Sequence, residues 1–154
     1  MEQRALPLFP SRGKPRARVV PKPRSPKEYA LHKAVAGHLR VFADPSWRWG
    51  HYPAGEKRDP RTAAKLKVMG LQRGWPDFLF FAPAGADTPA GLMHALELKR
   101  KGEDLTEKQE AFAAWCAEQG IPFACTDDLR EAMAVLSGWG VLRRPVAGFR
   151  RVGR

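Results

Sequence analysis

The stretch Ala95-Leu96-Glu97-Leu98-Lys99-Arg100-Lys101 carries a carboxylate and an ammonium two residues apart, in a run that otherwise reads as a strand. Side chains at i and i+2 of a strand leave the same face, so Glu97 and Lys99 stand side by side. Upstream, Asp77 opens a second apolar run, Asp77-Phe78-Leu79-Phe80-Phe81, and a Gly/Pro-rich loop (82–91) separates the two. A symmetric hairpin puts its turn midway, at Asp87, inside that loop. It therefore makes Asp77 and Glu97 cross-strand neighbours, with a bulge shifting the register by a residue at most. Two adjacent carboxylates repel and stay ionised together only if a cation sits between them. With no nearby Cys or His in the sequence, the expected donors are hard oxygens and the expected ion is Mg²⁺ or Mn²⁺. Such an ion ligates a phosphate oxygen and acidifies a bound water, and a fixed ammonium stabilises charge developing at phosphorus. Asp77 with Glu97-x-Lys99 is thus a minimal set for hydrolysing a phosphodiester without a covalent intermediate. An isolated Glu-x-Lys is common and reads equally as a surface ion pair on an edge strand. Gly74-Trp75-Pro76-Asp77 upstream makes the combination more specific.

The surrounding pattern predicts the elements that hold these residues. Ser25-Pro26-Lys27-Glu28 is a capping box with Pro at the first helical position, and Leu31, Val35, Leu39 and Phe42 follow at helical spacing. Extended backwards, that stripe reaches Glu28, so Glu28 belongs to the buried face. Trp47, Trp49 and His51 alternate on one face of a strand over 47–52, and a polar loop, 53–62, leads to a short helix over 63–70 stopped by Gly70. Strands follow over 77–81 and 92–100. Thr106-Glu107-Lys108-Gln109 is a second capping box, opening a helix to Gln119 whose inward face runs Gln109, Phe112, Trp115/Cys116, with Gly120 at its end. A strand over 121–126 and a helix capped by Asp127 or Asp128 complete the order. This is an α/β domain, a mixed sheet flanked by helices.

The chain has 154 residues and a formal net charge of +11. The charge is uneven: residues 1–27 carry eight basic groups and one acid, residues 143–154 five arginines and no acid, and residues 28–142 fourteen basic and fifteen acidic groups. The expected organisation is a basic, Pro-rich flexible arm (1–25), a folded domain (26–142) and a basic tail (143–154). Cationic tails on a near-neutral body point to a polyanion, nucleic acid before a membrane surface. Arg16, Arg18, Lys22 and Arg24 in the arm, with His51, Lys57, Arg58, Arg73, Arg100 and Lys101 in the body, are the candidate DNA contacts. Cys116 and Cys125 read as buried apolar residues rather than a disulfide or zinc pair, and the four histidines form no metal-binding spacing. The start of the chain lacks an apolar signal core, and no apolar run reaches a membrane span. The expected location is the cytoplasm of a bacterium or a phage-infected host cell.

The segments "GLQRGWPDFLFF", "LMHALELKRKGEDLTEKQ" and "AEQGIPF" together resemble the VRR-NUC domain of the PD-(D/E)xK nuclease superfamily, over about residues 26–138. The resemblance implies the restriction-endonuclease-like α/β core of that superfamily. It also implies roles for the matched positions: Asp77 and Glu97 as metal-ligating carboxylates, the Leu98 carbonyl as a further ligand and Lys99 as the catalytic lysine. Glu28 fills the acidic place on the first helix as a further metal ligand, and Gln109 joins the catalytic set, reaching toward Lys99 or the attacking water. Glu28 and Gln109 read alternatively as halves of capping boxes alone. In "HYPAGEKR", Ala54 departs from the Asn usual at that place in the family, which leaves His51 as a substrate contact only.

The resulting expectation is a Mg²⁺- or Mn²⁺-dependent DNA endonuclease. The resemblance further implies a homodimer selective for branched substrates such as Holliday junctions or flaps. The competing readings are a DNA-binding module that does not cut, and an adaptor tethered to a sliding clamp through the apolar patch Ala5–Phe9. Removing residues 1–24 is expected to flatten the dependence of DNA affinity on salt, because fewer counterions are released. An unchanged slope in salt titrations would mean that the arm does not touch DNA.

Overall fold

The computed structural model describes residues 26–53 and 59–143. In chain order its elements are α1 (Pro26–Phe42), β1 (Arg48–His51), α2 (Pro60–Val68), β2 (Phe78–Phe81), β3 (Met93–Leu98), α3 (Glu107–Glu118), β4 (Phe123–Thr126) and α4 (Leu129–Gly138). The four strands form one mixed sheet in the order β1-β2-β3-β4. β1 pairs antiparallel with β2 and β2 with β3, and β4 runs parallel to β3, as a strand reached through the crossover helix α3 must. The expected α/β class and element order are those observed.

The sheet's alternation decides what each face carries. Phe78 and Phe80 of β2 and Leu96 and Leu98 of β3 share one face, where they pack with Val35 and Leu39 of α1 and Ala132 and Leu136 of α4. Burying large apolar side chains at this face is the main stabilisation, about 1.5–3 kcal/mol for each fully buried one. Ala95 and Glu97 point the other way. There α3 lies against β4, with Phe112 on Phe123 at 6.5 Å between ring centroids. Because both its faces are covered, β3 is buried from His94 to Leu98.

The strands expected over 47–52, 92–100 and 121–126 are each shorter, and the largest departure from an expected boundary is the start of α2. Helix α2 begins at Pro60 rather than 63, because Asp59 caps it: the carboxylate accepts from the Arg61 and Thr62 amides, at 3.0 Å each. Of the two candidate caps for α4, Asp128 is the one that accepts from the Arg130 and Glu131 amides, at 2.7 and 3.1 Å, whereas Asp127 accepts from Gly102 N–H. The fold closes where the Arg143 amide donates to Phe42 O at the end of α1, at 2.9 Å. Cys116 is buried as expected. Cys125 is exposed, because β4 is the sheet's edge and α3 leaves that position open. Ser25, the cap expected for α1, lies outside the described residues, as do the arm and the tail beyond Arg143.

Within the core, His94 is 1% exposed and sits edge-on to Trp47 and Trp139, with centroids 5.1 and 5.2 Å away. Desolvation holds its imidazole below the ordinary value of 6.5, with its hydrogen bond to Leu92 O opposing in part. The unfolded chain then takes up a proton near pH 6.5 while the native one does not, so stability is full above that pH and is lost as pH falls through it. Denaturant unfolding of the wild type at pH 7.5 and 5.5 should show that loss, and His94→Phe should remove the part due to this residue. Equal pH dependence in both proteins would show that His94 is not its source.

Candidate active site

The β2–β3 register continues by one residue to set Asp77 opposite Glu97: Phe78 pairs with Leu96 and Phe81 with Met93, in the register expected from the midpoint at Asp87. Both carboxylates are buried, 5% and 4% exposed. An ionised carboxylate out of water costs several kcal/mol unless it is compensated, and each has its own partners. Asp77 Oδ2 accepts from the Leu98 amide at 2.9 Å and lies 3.4 Å from His32 Nε2. Glu97 Oε1 lies 3.2 Å from Lys99 Nζ and accepts from Gln109 Nε2. Leu98 thus meets Asp77 through its N–H, and β3 supplies the backbone donor as well as the side chains Glu97 and Lys99.

Gln109 joins this network from the first turn of α3. Its Oε1 accepts from Lys99 Nζ at 2.5 Å and from the Thr106 amide and hydroxyl at 2.9 Å each. The capping box of α3 and the contact with Lys99 and Glu97 are therefore made by the same side chain. The two readings of this residue, cap and site group, describe one geometry. It also sets the rotation of α3 relative to β3.

Glu28 lies at the inner side of α1, as the helical stripe indicates, with its side chain 14% exposed and Oε2 3.5 Å from Arg100 Nε. Arg100 also pairs with Glu103 at 2.9 Å, so two carboxylates share its charge. Among the other candidate DNA contacts, Arg73, Lys101 and His51 are exposed. Arg16, Arg18, Lys22, Arg24, Lys57 and Arg58, and the Ala5–Phe9 patch, lie outside the described residues.

One expectation is corrected: imidazoles do stand beside the carboxylates. The ligand atoms of His32, His51 and Asp77 all lie within 4.8 Å of one another. Among the described residues this set of three could hold a metal; Glu28, Asp77 and Glu97 do not form one on that measure. His32 sits one helical turn after Glu28 and shares the stripe of Val35 and Leu39, so helical spacing could have flagged it. His51 reaches the site from β1, where it pairs with Phe78 and rests on it at 5.4 Å. Only the register of β1 against β2 brings it to His32, 5.6 Å between ring centroids. These residues suit a divalent ion: a carboxylate and two imidazoles on one side, a second carboxylate and a lysine across the strand pair.

The loop that delivers Asp77 is seated on α3. Gly74 has φ +88°, and a Cβ there would lie 2.5 Å from Lys108 Cβ and 2.9 Å from its carbonyl. Tyr52 stacks on Trp75 at 5.1 Å and donates its backbone N–H to Asp77 O at 2.8 Å, while Trp75 leans on Phe112 at 5.5 Å. Gly74 and Trp75 thus seat the Asp77 loop on the helix that carries Gln109.

Geometry and fold define a class: an α/β domain with a mixed sheet and a restriction-endonuclease-like core, with acidic groups and a lysine gathered at one sheet end. The VRR-NUC domain family matches residues 52–127, and the chain carries a VRR-NUC domain. This is a nuclease-type, DNA-processing domain, and hence a hydrolase class. A solved structure described as "VRR_NUC domain" is similar over 75% of this chain and 99% of its own, at 13% identity and a TM-score of 0.48. No curated protein matches the chain. Helix α1, with Glu28 and His32, and His51 lie before the matched span.

Gly74→Ala forces a left-handed backbone that costs an L-residue about 1–2 kcal/mol and adds an overlap with Lys108. The expected result is a loss of about 2 kcal/mol or more in denaturant unfolding, since both effects act at one site. Gly70→Ala, with a similar φ of +93° but open space around it, should lose only the backbone part. Equal losses in the two variants would mean that the contact with α3 is not tight.

Proposed function

We propose that this domain is a metal-dependent DNA endonuclease in which water attacks phosphorus directly. The observation that carries the reading is the bonded set Glu97, Lys99 and Gln109 beside the buried Asp77 carboxylate, which the Leu98 amide holds, at one end of the sheet. A bare DNA-binding module has no use for two buried carboxylates that repel phosphate. Asp77 and Glu97, with the Leu98 carbonyl as a further oxygen donor, would hold the divalent ion. When bound, that ion supplies a Lewis acid for a phosphate oxygen and an acidified water.

The chain's own residues do the rest. Lys99, 11% exposed, is held by Glu97 and Gln109, so its ammonium is aimed before substrate arrives. Preorganised charge of this kind is worth far more than a mobile lysine in solution. Gln109 acts on Lys99 as a positioning residue and ties that aim to the capping of α3. Glu28 holds Arg100 in place at the site's margin. Arg73, Lys101 and the basic residues of the arm and tail would take backbone phosphates, giving affinity with little sequence preference.

Branched DNA as the preferred substrate extends this reading. A homodimer with two such centres on opposing strands would cut a junction. Mg²⁺ and Mn²⁺ are the ions to compare.

Asp77→Asn, Glu97→Gln and Lys99→Ala should each lower cleavage by about 10²-fold or more, as removal of a preorganised charge does, with DNA binding retained. The measurement is cleavage of labelled duplex, single-strand, flap and four-way-junction DNA with Mg²⁺, Mn²⁺ or EDTA. Metal-independent binding without any cleavage would defeat the enzymatic reading, and normal cutting by Lys99→Ala would remove that residue's role.

A further inference from the structure

We propose that the ion at Asp77 is bound through nitrogen, by His32 and His51, and that the site therefore selects a first-row transition dication of the Mn²⁺ kind over Mg²⁺. The inference takes the ion's purpose from the nuclease reading but not its presence, which rests on the donor geometry alone.

Two donors each about 2.1 Å from one ion stand roughly 3.0 Å apart at a right angle and roughly 3.4 Å apart at the tetrahedral angle. His32 Nε2 and Asp77 Oδ2 are 3.4 Å apart. His51 completes a set whose ligand atoms all fall within 4.8 Å. His32 is fixed from behind: it is 7% exposed and lies against Phe78 at 5.9 Å. His51 is exposed on an edge strand. The set is thus closed on the α1 side and open on the β1 side, the form of a site that keeps positions for water and a phosphate oxygen.

The donor types then decide the metal. Mg²⁺ is a hard ion that prefers carboxylate, carbonyl and water. Imidazole suits first-row transition ions, whose affinity for a nitrogen site rises from Mn²⁺ onward through the series. An all-oxygen site from Glu28, Asp77 and Glu97 would suit Mg²⁺ and Mn²⁺ alike. Here Glu28 faces Arg100, and the donor that α1 offers beside Asp77 is His32, one turn on.

The test is metal binding by the intact protein without DNA. Mn²⁺ is followed by loss of its free-ion electron paramagnetic resonance signal, with Mg²⁺ as competitor and spin-echo modulation to detect ¹⁴N at the bound ion. Wild-type protein should bind Mn²⁺ at least about tenfold more tightly than Mg²⁺, as imidazole ligation implies, and should show imidazole ¹⁴N. His51→Gln, at an exposed edge position, should keep its thermal melt, weaken Mn²⁺ binding and bring the two ions toward parity. His32→Gln should do the same, with its melt measured alongside. An absent ¹⁴N signal, or a Mn²⁺/Mg²⁺ ratio unchanged in His51→Gln, overturns the inference. Cleavage supported equally by both ions with that unchanged ratio would leave the nuclease reading standing. The expected ratio in a protein that cuts no DNA would overturn the nuclease reading and leave the metal site.

Discussion

Two carboxylates, Asp77 and Glu97, are buried opposite each other at the end of a hairpin, and the rest of the structure has to make that tolerable. Neither is given up to water: 5% and 4% of their surfaces remain accessible. Charges so placed cost several kcal/mol each unless donors or cations face them. Asp77 takes the Leu98 amide and His32; Glu97 takes Lys99 and Gln109. A phosphate or an ion entering between the carboxylates thus meets groups that are already oriented.

Four elements converge to supply those partners, and each is placed by an ordinary structural device. The β2–β3 hairpin supplies the register. The positive-φ Gly74 lets the loop before Asp77 close onto Lys108 of α3. The capping box of α3 fixes Gln109, which then reaches Lys99 and Glu97. Burial of Val35 and Leu39 against the sheet fixes the rotation of α1, and so places Glu28 and His32 over the end of β3. Stability and site are coupled at Gln109, whose side chain caps α3 and holds Lys99 and Glu97 at once.

This explains which parts were legible in the sequence. Gln109 and Glu28 were visible because helix starts and helical stripes are local patterns, and the Asp77–Glu97 pairing because a hairpin's midpoint fixes its register to within a residue. The start of α2 was misplaced because Asp59-Pro60, a cap followed by Pro at the first helical position, sits inside a polar run that reads as loop. The histidines were missed for another reason. His32 and His51 are nineteen residues apart in sequence, on a helix and an edge strand joined through no repeating spacing. They meet only because β1 pairs with β2 in a register that sets His51 on Phe78. Cys125 was misjudged because residue type says nothing of which strand ends up at an edge.

Those missed residues change the chemistry more than the legible ones. With carboxylates alone, the site would be an oxygen cage in which the charge of the ion matters most and its identity least. Imidazoles alter the balance, since a nitrogen donor contributes little to Mg²⁺ and much to a transition ion. They also bring no negative charge, so two of the three donors around Asp77 do not repel the phosphate that must approach. The carboxylate across the strand pair, Glu97, is already opposed by the Lys99 ammonium. The site can thus hold a dication while presenting less net negative charge to DNA than three carboxylates would.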